Sequence, residues 1–434
     1  MSRTFLIILI SFCIACSSYA QNLKQQFVYT DIDNFWNAYD KIVSTKDSVQ
    51  QHTYLQQLYI EKGTAGLRSL MQVRRYTNQQ FIDAINRFPL FWQSLRASLK
   101  NIPGIYPGIE KNIQQLKQIY PNLKPSTIYF TIGAFRSNGT TQGFNVLIGA
   151  ELALADSFTV IKELPEWQQS FYRDFKPKEN IALLCTHEYI HTQQKPFVEN
   201  LLSMCLYEGV AEFLSCKASG SKSNTPAIAF GKANHERVIR QFVADLFLMS
   251  NNNNWLWGQN RNALKISDLG YYVGYEMCER YYNAATDKVK AIKELVELDY
   301  EDEKEVERIV DATHLLPQRL VKLYAVYEKE RPTVVAVQPF KNGSKNVKPG
   351  KTSITVLFSE PLNGHNTGVD FGPLGEKHFP KTAPVKTWSA DNKSWTLEVN
   401  LEANQQYQIL ISNNFRKENG VRLKPFLIEF NTTE

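Results

Sequence analysis

The chain carries two histidines four residues apart with a glutamate beside the first, His187-Glu188-Tyr189-Ile190-His191, a spacing suited to metal-assisted hydrolysis. Residues four apart on a helix stand one turn above each other on one face, so His187 and His191 can offer two imidazole nitrogens to one zinc ion. Glu188 then lies beside the metal, where a carboxylate can take a proton from a zinc-bound water. Zinc lowers the pKa of that water to roughly 7, which makes hydroxide available at neutral pH without a protein nucleophile.

Two histidines leave a catalytic zinc short of one protein ligand, and Glu208 is the candidate for it. It stands in Leu206-Tyr207-Glu208-Gly209-Val210-Ala211-Glu212-Phe213-Leu214, where the apolar residues 206, 210, 213 and 214 predict the buried stripe of a second helix. Glu208 and Glu212 share its other face. Two carboxylates one turn apart repel unless a cation or hydrogen-bond donors neutralise them, and a metal together with a histidine N–H does both. Glu208 is therefore assigned to the metal and Glu212 to the outer nitrogen of a ligand histidine. Ile181-Ala182-Leu183-Leu184-Cys185 runs directly into the first motif, so the histidines arise from a largely buried helix rather than a solvated one.

His-Glu-x-x-His followed by Glu-Gly-x-Ala-Glu resembles the gluzincin metalloproteases. The likeness implies that the first glutamate of the second motif completes the zinc site and that an acidic residue one turn later orients a ligand histidine; Glu208 and Glu212 occupy those positions. More closely, the region resembles the predicted zinc-dependent proteases of bacterial envelopes, in which a helical segment of the Phe35-Trp36-x-Ala38-Tyr39 kind precedes a hairpin and the zinc helices. The resemblance implies a peptide or protein substrate. It also implies a strand upstream of the zinc helix that holds the substrate, here the segment 143–149. Glu151 lacks the neighbours of an aminopeptidase amine-binding motif.

The elements that must position these residues follow from periodicity. Helices are expected over residues 34–120, with Phe35, Tyr39 and Ile42 forming one stripe and Phe81, Ile82, Ile85 and Phe88 another. The β-rich runs 127–135 and 144–148 read as a hairpin around Arg-Ser-Asn-Gly-Thr-Thr. Tyr271, Tyr272 and Tyr275 lie on a further helix whose Gly270 and Gly274 suggest close packing; any of the three tyrosines could donate to a transition-state oxyanion or simply pack. His235 and Arg240 receive no assignment. After Pro332 the period becomes two: Ile354, Val356 and Phe358, then Trp395, Leu397, Val399 and Leu401, then Tyr407, Ile409 and Ile411. Short strands separated by Asn-Gly, Pro-Gly and Asp-Asn turns predict an antiparallel sandwich, and the region resembles bacterial immunoglobulin-like domains. The expected fold is α+β: a mostly helical zincin-like metallopeptidase domain with a small sheet over residues 21–330, then an all-β immunoglobulin-like sandwich over 331–434.

Residues 1–20 have a basic start at Arg3, an apolar run from Phe5 to Ala15, and Ser18-Tyr19-Ala20 before Gln21, the pattern of an export signal. Cleavage after Ala20 gives a periplasmic, surface or extracellular protein; Cys16, after Ile14-Ala15, offers a lipid anchor instead. No later apolar run is long enough for a membrane span. Cys185, Cys205, Cys216 and Cys278 form no C-x-x-C pair and indicate no disulfide framework. The formal charge of +6 over 434 residues is spread without a basic block, which argues against nucleic acid as a partner. The function expected is an exported zinc metallopeptidase with Glu188 as general base. The alternative is a zinc-stabilised envelope component that binds or assembles and cleaves nothing.

Overall fold

The computed structural model describes residues 26–248, 252–257 and 262–434. The leader expected over 1–20, with Cys16, lies outside the described residues. Contacts gather the chain into two compact units. The first comprises residues up to Glu199, Ser203–His235 and Asp268–Leu315; the second comprises Asn200–Leu202, Glu236–Ser267 and Leu316–Glu434. Among the described residues no helix is long and apolar enough to cross a membrane.

In the first unit, helix α1 (Thr30–Ile42) begins with Asp31 and Asp33 in its first turn, where the helix dipole favours negative charge, and buries the expected stripe of Phe35, Tyr39 and Ile42. Phe35 packs on Trp92 and Tyr59 at ring separations of 5.0 and 5.4 Å. Phe81, Ile82, Ile85 and Phe88 are buried as their spacing predicts. Helix α2 (Ala65–Arg74) is capped by the Thr64 side chain and lies on the sheet, where Gly66 fits because a Cβ there would sit 2.3 Å from the Tyr129 ring.

That sheet has four strands in the order β1-β2-β4-β3: β1 (Gln26–Val28), β2 (Thr127–Thr131), β3 (Gly139–Gln142) and β4 (Asn145–Gly149). The strand pairing differs from the hairpin expected of 127–135 and 144–148. β2 and β4 run parallel, from Thr127 opposite Asn145 to Thr131 opposite Gly149, while the antiparallel hairpin is β3 with β4. Its tight turn is Gly143-Phe144, with Gly143 at φ 56°, a left-handed conformation that glycine adopts without Cβ strain. The segment 143–149 expected at a cleft is thus mostly the internal strand β4, and the outer strand is the polar Gly139-Thr140-Thr141-Gln142.

Helix α3 (Tyr106–Ile119) packs against the helix of the first motif, α4 (Ile181–His191). Helix α5 (Leu201–Ser219) holds the second motif and is buried almost all round. Cys185, Cys205, Cys216 and Cys278 are free and buried.

The second unit contains the sandwich. One sheet has the order β5-β6-β9-β8, built from β5 (Val334–Gln338), β6 (Gly350–Phe358), β8 (Lys381–Trp388) and β9 (Ser394–Leu401); the other pairs β7 (Val369–Asp370), β10 (Gln406–Ile411) and β11 (Phe426–Asn431). Ile354, Val356 and Phe358 from β6 meet Trp395, Leu397 and Val399 from β9 and Tyr407, Ile409 and Ile411 from β10 in one core, as alternation predicts. The helix Leu320–Glu330 belongs to this unit: Tyr327 packs on Phe247 at 5.2 Å, and the Arg331 guanidinium donates to the Leu423 carbonyl at 2.6 Å.

Candidate metal centre

α4 is apolar on most of its surface, and its rotation is fixed from the side away from the histidines. The Tyr189 hydroxyl accepts from the Ser126 N–H at 2.8 Å and donates to the Lys124 carbonyl at 3.2 Å. Ser126 Oγ also bonds Thr192 Oγ1 at 2.7 Å. His187 and His191 consequently face α5. That helix crosses α6 (Leu269–Ala284) at two glycines. A Cβ on Gly274 would lie 1.7 Å from the Cys205 carbonyl oxygen, and one on Gly209 would lie 2.1 Å from the Gly274 carbonyl carbon, so the backbones touch. The crossing places Glu208, the neighbour of Gly209, against the histidines.

The three residues expected as ligands come together and form a candidate metal site. His187 Nε2 and His191 Nε2 are 3.1 Å apart, and Glu208 Oε2 is 3.3 Å from each. Tetrahedral nitrogen and oxygen donors at about 2.0–2.1 Å from zinc are themselves spaced about 3.3 Å apart, so the triangle has the dimensions of three zinc ligands. All three residues are buried, as are Glu188 and Glu212.

Glu212 lies where the sequence reading puts it, with Oε2 3.1 Å from His187 Nδ1. Its other oxygen accepts from the Ser223 hydroxyl and, at 3.2 Å, from Thr225 Oγ1. A carboxylate only accepts, so His187 Nδ1 carries the hydrogen and Nε2 is the nitrogen that would be offered to a metal.

Three buried carboxylates around two imidazoles require positive charge. Without a bound cation a proton supplies it: burial alone lowers the His187 pKa, but the hydrogen bonds to Glu208 and Glu212 outweigh burial and push it up to about 10. Burial raises the Glu208 pKa, yet the His191 and His187 rings hold the carboxyl well below the usual range. Glu212 is also lowered, its burial outweighed by the bond to His187 and by the two hydroxyls. Glu188 goes the other way: burial raises its pKa, and the two histidines and Arg74 only partly offset this.

Several residues left unassigned by the sequence reading enter the site. Gly139 on β3 lies against Glu188: a Cβ there would be 2.5 Å from Oε1, so any side chain would have to displace the carboxylate. The Arg74 guanidinium donates to the Gly139 carbonyl at 3.4 Å. Of the three tyrosines on α6, Tyr271 has its ring 6.1 Å from the His187 ring. Tyr272 bonds His235 Nδ1 at 2.7 Å and Tyr275 donates to Glu279 at 3.2 Å. Glu151 is fully buried, accepting from the Gly133 and Phe135 N–H groups at 2.9 and 3.1 Å, so it shapes the loop before β3. Gln194, three residues past His191, accepts the bond from His191 Nδ1.

No curated protein matches the chain. Among solved structures it is similar to the S-layer protein rSbsC(31-844), at 12% identity and a TM-score of 0.17 over 76% of this chain and 46% of that one, a likeness too slight to bear on the fold. The chain thus spans less than half the length of that protein. The donor triangle falls inside residues 170–302, which match the family described as Predicted Zn-dependent protease (DUF2268), while residues 328–432, which hold the sandwich, match the Bacterial Ig-like domain.

Proposed function

We propose that this protein is an exported zinc metallopeptidase of gluzincin type that hydrolyses peptide bonds. The observation that carries the proposal is the triangle of His187 Nε2, His191 Nε2 and Glu208 Oε2, with Glu188 next to His187 on α4. When bound, zinc supplies a Lewis acid that polarises a carbonyl and lowers the pKa of water to about 7. Glu188 takes the proton of the attacking water as its oxygen bonds to the peptide carbonyl carbon. As the C–N bond breaks, Glu188 returns the proton to the leaving amine nitrogen. Burial that raises the Glu188 pKa brings it nearer to neutral, which suits a group that must both accept and return a proton. Glu212 orients His187, and Tyr271 is the side chain we assign to the developing oxyanion. An extended peptide lying along the outer edge of β3 would carry its backbone past Glu188.

We further propose cleavage after Ala20 or lipidation at Cys16 as the route of export, and a junction near residue 331 between the catalytic part, 21–330, and the sandwich, 331–434. Limited proteolysis tests the junction: a first cut at 331 supports it, whereas a cut near 315 with Arg331 protected moves the boundary to the start of the second unit's last segment.

The test of the enzyme is Glu188→Gln compared with wild type on a broad peptide pool at matched zinc occupancy. Retained zinc with a rate lowered about 10²-fold or more is expected. Equal rates reject the mechanism, and absence of cleavage by wild type favours a binding protein.

A further inference from the structure

His187 has an ionised carboxylate on its outer nitrogen, whereas His191 faces a neutral amide. Gln194 follows the end of α4 and folds back, so that its Oε1 lies 2.7 Å from His191 Nδ1. Its Nε2 donates to the Tyr207 carbonyl oxygen at 3.0 Å. A carbonyl oxygen can only accept, so the NH2 end of the amide faces Tyr207 and the oxygen end faces His191. That oxygen also only accepts, so His191 Nδ1 carries the hydrogen, and Nε2, 3.3 Å from Glu208 Oε2, is the nitrogen that would be left for a metal.

The same amide joins the two halves of the site. Tyr207 immediately precedes Glu208, and its ring stacks on His191 at 4.3 Å with 13° between the planes. Gln194 therefore connects the end of the first motif to the backbone next to the third donor. A neutral partner suits this position, because Glu188, Glu208 and Glu212 already place three carboxylates in the buried cluster.

We infer that Gln194 is a positioning residue that locks His191 in its Nε2-ligating tautomer and holds it in register with Glu208. The inference rests on the zinc reading above. Nothing in the two motifs assigns this role, which extends the first to His-Glu-x-x-His-x-x-Gln.

The test uses the full chain with zinc itself as the probe. Zinc affinity is measured by chelator competition for wild type, Gln194→Leu, Gln194→Glu and His191→Ala, and imidazole nitrogen NMR reads the tautomer of zinc-loaded wild type. Gln194→Leu should bind zinc about 10–100-fold more weakly. Gln194→Glu keeps the acceptor for His191 but loses the donor to the Tyr207 carbonyl and adds a fourth carboxylate, so its affinity should fall between wild type and Gln194→Leu, and wild-type His191 should carry its hydrogen on Nδ1. If Gln194→Leu does not fold, the wild-type tautomer decides, since a hydrogen on Nε2 overturns the inference. Wild-type affinity in Gln194→Leu also overturns it, provided His191→Ala loses zinc. Unchanged zinc binding in His191→Ala would instead overturn the underlying metal site.

Discussion

Gly139 and Glu188 occupy the same small space: a Cβ at position 139 would stand 2.5 Å from Glu188 Oε1 and 2.8 Å from its Cγ. The proposed general base is thus confined by an outer strand as well as by its own helix. Gly139→Ala should displace the carboxylate, because the strand is held by β4 and the Glu188 side chain is the softer partner. Misplacing a catalytic group by about 1 Å costs on the order of 10²-fold in rate. The expected outcome is a kcat lowered at least tenfold with zinc content unchanged, measured by peptide hydrolysis and metal analysis. A wild-type kcat would show that the contact does not set the position of the base.

Zinc binding should release a proton. With no cation bound, His187 is pushed up to about 10 by its two carboxylates against the opposing effect of burial. Its folded pKa then exceeds the ordinary 6.5, so the stabilisation from this proton is complete below about 6.5 and is lost as pH rises through about 10. At pH 7.5 the metal must expel it. Calorimetric zinc titrations in two buffers of different ionisation enthalpy should report about one proton released per zinc, and zero release would contradict a protonated His187. Removal of zinc by a chelator should lower the melting temperature without unfolding the chain, because the proton takes over part of the metal's charge.

Most of the candidate metal site was legible because helical periodicity turns sequence spacing directly into a shared face. His187, His191, Glu208 and Glu212 all sit where the spacing places them. Gly139 and Arg74 were not legible, since they reach the site from a strand and a helix far upstream, and nothing local marks a glycine as the neighbour of a carboxylate. The sheet was misread for a related reason. Thr127–Thr131 and Asn145–Gly149 look like strands, but alternation does not name a partner, and the edge strand β3 is too polar to stand out until β4 pairs with it. Gln194 could have been found from its position three residues past His191, within reach of the imidazole once the helix ends.

Tyr271 is distinguished from its two neighbours by its place beside His187, and Tyr271→Phe tests whether the hydroxyl serves the transition state. Loss of an oxyanion donor costs about 10²–10³ in kcat. KM for a short peptide should change far less, and zinc content should not change. Tyr272→Phe removes the bond to His235 and serves as the comparison; an equal fall in both variants would point to helix packing rather than to catalysis.

Glu151 supplies a pH test of the loop that leads into β3. Burial raises its pKa to about 7 from the ordinary 4.5, despite the hydrogen bonds from the Gly133 and Phe135 N–H groups. The folded protein therefore binds a proton at this carboxyl between about 4.5 and about 7 that the unfolded chain has released. Stability from this group is present at low pH and falls as pH rises across that window, by on the order of 3 kcal/mol. Glu151→Gln cannot titrate. It leaves one N–H facing an amide NH2, a pH-independent cost of about 1–3 kcal/mol, so the informative quantity is the shape of the difference curve and not its offset. Urea unfolding of both proteins from pH 4.5 to 8 should show the variant losing less stability than wild type as pH rises. Parallel curves would mean that Glu151 is already ionised in the fold at pH 4.5, with its two backbone donors sufficient to hold the charge.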